Sequence, residues 1–120
     1  MRIISFAHTT PALLAGRKTV TRRDWDDDYA ARFRAGEVVK AYDRSPRFKG
    51  KWVATVQLVA DPVLESTALM PDSDFESEGF AWMEENGHRL WGRTPREHWD
   101  LWRQEPNTMW VVRFRLVGRS

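Results

Sequence analysis

Gly16-Arg17-Lys18-Thr19-Val20-Thr21-Arg22-Arg23 joins the end of a helix to the start of a strand. Gly16 supplies the helix stop, and the β-branched residues Thr19, Val20 and Thr21 favour an extended chain behind it. Arg17 to Arg23 packs four cationic side chains and two hydroxyls into seven residues. Such crowding is costly unless an anion, a polar ligand or nearby carboxylates offset the repulsion.

Upstream, Arg2 to Phe6 has the pattern of an opening strand. Thr10 stands where an N-cap belongs, with Pro11 at the first helical position and Leu13 and Leu14 behind it. Downstream, Asp24 to Arg34 holds one or two helical turns with Trp25, Tyr29 and Phe33 on one face. Glu37 to Tyr42 and Trp52 to Ala60 read as strands around a basic loop, Arg44 to Lys51. Val63 to Glu65 bends back into the sheet after Asp61-Pro62. One helix is expected within Met70 to Gly87, starting near Asp72 to Asp74, with Phe75, Gly79, Phe80 and Met83 on its inner stripe. Thr94-Pro95-Arg96-Glu97 forms a capping box, and the helix it opens puts Trp99 and Trp102 on one face, where core packing is expected. Met109 to Val117 is the last strand. Strands separated by short helices without regular alternation indicate an α+β chain, a small mixed barrel in one domain spanning 1–120.

The chain has 120 residues, seven of them tryptophan and none cysteine. Disulfides and thiolate metal sites are thereby excluded, which fits a reducing cytoplasm. The N-terminal apolar run is too short for a signal peptide, and no segment is apolar for long enough to span a bilayer, so a soluble cytoplasmic protein is expected. His8, His88 and His98 lack metal-ligand spacing, and neither a metal nor a cofactor is expected. Nothing in the sequence sets an oligomeric state.

Net charge is +2, unevenly spread. Residues 1–51 carry twelve Lys and Arg against six Asp and Glu, whereas residues 52–92 carry one Arg against eight acids. This implies either a bipolar surface or acids folded back onto the basic cluster.

The Gly16-Arg17-Lys18-Thr19 and Thr21-Arg22-Arg23 segments, with the Ala35-Gly36-Glu37-Val38-Val39 strand start and the acidic stretch Asp74 to Gly79, resemble the ASCH domain family. The likeness runs from about Ile3 to Val117, and the G-x-K-x-x-T-x-R pattern is its specific part. The resemblance implies a PUA-like small β-barrel decorated with short helices, with a cleft for a nucleoside or RNA. Small bacterial members similar to this chain include an amidohydrolase that deacetylates N4-acetylcytidine. The match implies Lys18, Thr21 and Glu78 as catalytic residues, with Glu76 the alternative to Glu78. Arg22 stands where that amidohydrolase has an apolar residue, and the tryptophan-rich stretch from His88 to Trp102 is additional.

Amide hydrolysis needs a nucleophile, a proton shuttle and oxyanion stabilisation. Thr21 supplies a hydroxyl or positions a water. Lys18 acts as base if its pKa is depressed, or stabilises the oxyanion if an ion pair with Glu78 keeps it charged. Arg17, Arg22, Arg23, Trp25 and Trp82 are the expected substrate or RNA contacts. Alternatives of other classes are a non-catalytic RNA-binding module, with Arg44, Arg47 and Lys49 also meeting phosphates, and a ribonuclease.

Overall fold

A computed structural model describes residues 1–120. Its organising element is the longest strand, β6 (Thr108–Arg119), which pairs with three others. Its first half lies between β2 (Val20–Arg23) and β5 (Val63–Ser66), and its second half pairs antiparallel with β4 (Trp52–Leu58). β3 (Val38–Tyr42) pairs with β4, and β1 (Ile3–Ser5) joins β3 in parallel. The order β1-β3-β4-β6-β2 makes a curled half-barrel of mixed strands.

The inner face follows strand alternation. Ala54, Val56 and Leu58 of β4 meet Val39 and Ala41 of β3, and Ile4, Phe6, Leu13, Phe33, Val112 and Phe114 complete that core. A second cluster, Ala12, Met70, Phe80, Met83, Leu90 and Trp99, joins the helices to one another. Five helices are short: α1 (Thr10–Leu14), α2 (Asp27–Ala30), α3 (Asp74–Ser77), α4 (Phe80–Glu85) and α5 (Pro95–Gln104).

Three local expectations are corrected. Thr10 is not a cap: a 3-10 turn, Ala7–Thr9, precedes α1, so Thr10 is already helical and its Oγ1 is buried without a partner. The helix expected within Met70 to Gly87 is two helices, because Gly79 between α3 and α4 adopts φ +87°. The strand expected at 52–60 ends at Leu58. The α5 capping box forms as expected, Thr94 Oγ1 accepting from the Glu97 N–H at 3.1 Å and Glu97 Oε1 from the Thr94 N–H at 2.8 Å. No helix is long and apolar enough to cross a membrane.

Candidate functional site

β1 and β2 end the strand path without pairing with each other. A cavity of about 310 Å³ is lined by Ser5 and Phe6 from the β1 end and by Thr21, Arg22 and Arg23 of β2. One side chain links the two ends: Arg23 NH2 donates to the Ser5 carbonyl at 2.6 Å, and its Nε donates to Thr21 Oγ1 at 3.1 Å. Thr21 and Arg23 are two apart on a strand and so share a face. The guanidinium also lies over the Phe6 ring, 5.4 Å from its centroid. Arg23 has no carboxylate within ion-pair distance, and burial pushes its pKa down to about 10. It remains a cation at neutral pH, with neutral partners and access to the cavity.

Arg22 points to the other face of β2, toward α3. Asp74 and Glu78 are four residues apart, one helical turn, so their carboxylates stand on one side. Arg22 spans them, NH2 to Asp74 Oδ2 at 2.6 Å and NH1 to Glu78 Oε2 at 2.7 Å. Lys18 takes the other Glu78 oxygen at 3.0 Å, and its Nζ also donates to the Glu78 backbone carbonyl at 3.0 Å. The amine thus neutralises a carboxylate while satisfying a carbonyl at the C-terminal end of α3, where a cation is favoured. Arg113 of β6 closes the set with two bonds to Asp74, at 3.0 and 2.8 Å. The Lys18, Arg22, Asp74 and Glu78 side chains are all at least 97% buried.

Three cations, Lys18, Arg22 and Arg113, share the two carboxylates of Asp74 and Glu78, so cations outnumber anions in this network. Lysine is the member able to shed its charge. Burial lowers the Lys18 pKa against the raising effect of Glu78, and the nearby Arg23 and Arg22 charges add to the depression. Burial raises Asp74, but hydrogen bonds from Arg113 and Arg22 outweigh it and hold that carboxyl below its usual range.

Gly79 makes this packing possible. A Cβ there would lie 2.6 Å from Ala12 Cβ and 3.2 Å from Lys18 Cβ, so α1, the α3–α4 corner and the Lys18 stem meet on its bare backbone. The Thr19 N–H donates to the Ser77 carbonyl at 2.7 Å, fixing the start of β2 against α3.

Of the residues expected at the site, Lys18, Thr21, Arg22, Arg23 and Glu78 line one cavity. Arg17 lies outside it, paired in the exposed shell with Glu76 at 2.5 Å and Glu85 at 3.6 Å. That contact also distinguishes the two glutamates, since Glu76 is on the surface and Glu78 in the buried network. Trp25 stacks on Phe33 with centroids 4.5 Å apart, part of the sheet core. Trp82 stacks on His88 at 5.2 Å and packs on the helical cluster. Neither tryptophan lines the cavity.

The aromatic wall instead comes from Phe80, Trp91, His98 and Trp102. Trp102 had a legible signal, its spacing from Trp99, but the shared face serves both core and cavity. Trp91-Gly92 is a two-residue turn between Leu90 and Arg93, and nothing in its local pattern ties it to Lys18. Asp74 was legible as the partner of Glu78 one turn away, whereas Arg113 reaches it only through the β2–β6 register. No group of three or more His, Asp or Glu side chains forms a metal-ligand set.

These features place the chain among small α+β domains with a curled half-barrel sheet. No protein-family model matches it, and no curated protein matches it in sequence. Among solved structures it is similar to protein EF3133 from Enterococcus faecalis V583, of family DUF984. That match has a TM-score of 0.58 and 13% identity, and covers 100% of this chain and 83% of the other. At that identity the likeness establishes the fold.

Proposed function

We propose that the chain is an ASCH-type, PUA-like domain whose cavity binds a nucleoside and hydrolyses the amide of an N4-acylated cytidine. The carrying observation is that Thr21 and the buried Lys18–Glu78–Arg22 network line the same cavity. Because Thr21 Oγ1 accepts from Arg23, its own proton is free to leave in another direction, and the cation favours the developing alkoxide. Unprotonated Lys18 accepts that proton as Thr21 Oγ bonds to the acyl carbon. The oxyanion faces the Arg23 guanidinium. Collapse breaks the C–N bond, and the leaving N4 amine takes the proton from Lys18. Water then hydrolyses the threonyl ester with Lys18 again as base, releasing the carboxylic acid. Glu78, with both oxygens already occupied, positions Lys18 rather than carrying the proton.

The test is to incubate the protein with N4-acetylcytidine and follow cytidine by chromatography, with Lys18→Ala in parallel. Release by the native protein at least about 100-fold above the variant supports the reading, in line with general-base contributions. No release at high protein concentration removes that substrate.

A second reading, RNA binding, draws on the β3–β4 hairpin. There Arg44, Arg47 and Lys49 flank Phe48 in sequence, and Phe48 is 68% exposed with the Arg47 guanidinium 6.0 Å from its ring centroid. Its signature is affinity for a single-stranded RNA that falls steeply with salt and weakens by a similar factor for each cation removed.

A further inference from the structure

Leu90 and Arg93 exchange both backbone hydrogen bonds, at 2.8 and 3.0 Å, leaving Trp91 and Gly92 as the two central residues of a tight hairpin turn. Both have positive φ, +49° and +78°, as in a type I′ turn. That turn favours Asn-Gly, and a bulky aromatic residue in the left-handed region is a strained choice. Trp91 is also 66% exposed, so core packing does not account for it. Yet it lines the cavity, with His8 edge-on at 4.8 Å and His98 tilted against it at 5.6 Å. His98 continues the wall to Trp102 at 4.8 Å, and Trp102 to Phe80 at 5.7 Å. The Nδ1 of His98 is buried there without a hydrogen-bond partner.

From this geometry we infer that Trp91 is a stacking platform at the cavity rim for one planar heteroaromatic ring, its polar edge directed to Arg23 and Lys18. The proposal rests on the nucleoside reading of the same cavity and specifies what is recognised. An aromatic wall facing a cationic floor suits a ligand with a flat apolar face and hydrogen-bond acceptors at one edge. A volume of about 310 Å³ is at the low end for small-molecule sites, so the occupant is a single nucleoside rather than a stretch of polymer. The strain at Trp91 is retained because the ring is needed where the turn presents it.

The experiment is calorimetric titration of native protein, Trp91→Gly and Trp91→Phe with cytidine, uridine, adenosine and, as a ring-free control, ribose. Thermal unfolding of each protein is recorded in parallel. Glycine suits the left-handed turn, so Trp91→Gly keeps or raises Tm while cytidine affinity falls at least about tenfold, the usual effect of losing one stacked base. Trp91→Phe keeps affinity within a few-fold, and ribose does not bind. Quenching of tryptophan emission by cytidine is reduced in Trp91→Phe, with Trp102 of the same wall left to report the remainder. Native affinity for cytidine in Trp91→Gly overturns the platform and leaves the hydrolysis reading standing. Trp91-dependent binding of nucleosides without cleavage of N4-acetylcytidine supports the platform and removes the amidohydrolase. If no nucleoside binds the native protein at millimolar concentration, the platform and the nucleoside reading both fall.

Discussion

Glu78 accepts from Lys18 on one oxygen and from Arg22 on the other, with all three side chains shut away from water. Removing its charge takes away the one carboxylate paired with Lys18 and leaves Arg22 with Asp74 alone, whereas removing Lys18 leaves Glu78 still bridged to Arg22. Glu78→Gln is therefore expected to cost about 3–5 kcal/mol and Lys18→Met distinctly less, because an uncompensated buried charge is the expensive outcome. Urea unfolding of the two variants measures the difference, and equal losses would contradict this division of roles. Lys18 also sets a pH signature. Its folded pKa lies below the ordinary 10.5, so a reaction using the free amine rises with pH through a limb below that value. The unfolded chain binds the extra proton across that window, so stability rises with pH there as well. In Lys18→Met the stability rise is lost, and in Lys18→Arg the activity limb is lost; pH–rate and pH–denaturation profiles check the two separately. Lys18, Thr21 and Glu78 were singled out by the family resemblance of the segments that carry them, and the structure brings the three to one cavity. The tightness of their coupling was not legible, since it depends on which carboxylate oxygen each cation takes.

The corner between α3 and α4 shows where local pattern misleads. Phe75, Gly79, Phe80 and Met83 match helical spacing, yet Gly79 sits at φ +87° against Ala12 and Lys18. Helical periodicity survives a single-residue break, so a pattern search passes over it, and only the approach of α1 reveals why a glycine is needed. Gly79→Ala meets both a left-handed backbone penalty and a Cβ contact at 2.6 Å, so a loss of at least about 2 kcal/mol is expected. Because Lys18 Cβ is the second atom met, the same variant displaces Lys18 and lowers any activity beyond the loss of folded protein. Chemical denaturation together with rate per folded molecule tests both parts. The capping box of α5, by contrast, is a local device, and its four residues were sufficient to locate the helix start. Thr94→Ala is expected to cost about 1 kcal/mol without touching the cavity floor, which a Tm comparison checks. The strands were legible where one face is buried, as with Ala54, Val56 and Leu58. Trp25 and Trp82 were misplaced as ligand contacts because nearness in sequence to Arg23 and Glu78 does not give direction, and both rings turn into packing clusters.

Across the whole molecule, the charge imbalance between segments is met partly by buried pairs and partly at the surface. Asp74, Glu76 and Glu78 of the acidic middle pair with Arg22, Arg113, Arg17 and Lys18 from the basic start and end of the chain. The network joins β2, α3 and β6, elements brought together only by the complete strand order, so stability and site geometry depend on the same contacts. Asp74 is its acid-sensitive member. Its folded pKa lies below the model-peptide value of 3.8, so its contribution is complete above that pH and is lost as pH falls through the lower folded value. Asp74→Asn removes this acid-side slope and also reduces stability at neutral pH, since Arg22 and Arg113 lose a shared anion. Denaturation midpoints followed from pH 6 to pH 2 test this, and an unchanged slope in the variant would assign acid unfolding to other carboxylates. Salt separates the layers further. The Lys18–Glu78–Arg22 core is too buried to be screened, whereas the Arg17–Glu76 pair is open to solvent. Raising NaCl from 0.1 to 1 M is therefore expected to remove any stabilisation from the exposed pair while leaving the penalty of Glu78→Gln nearly unchanged.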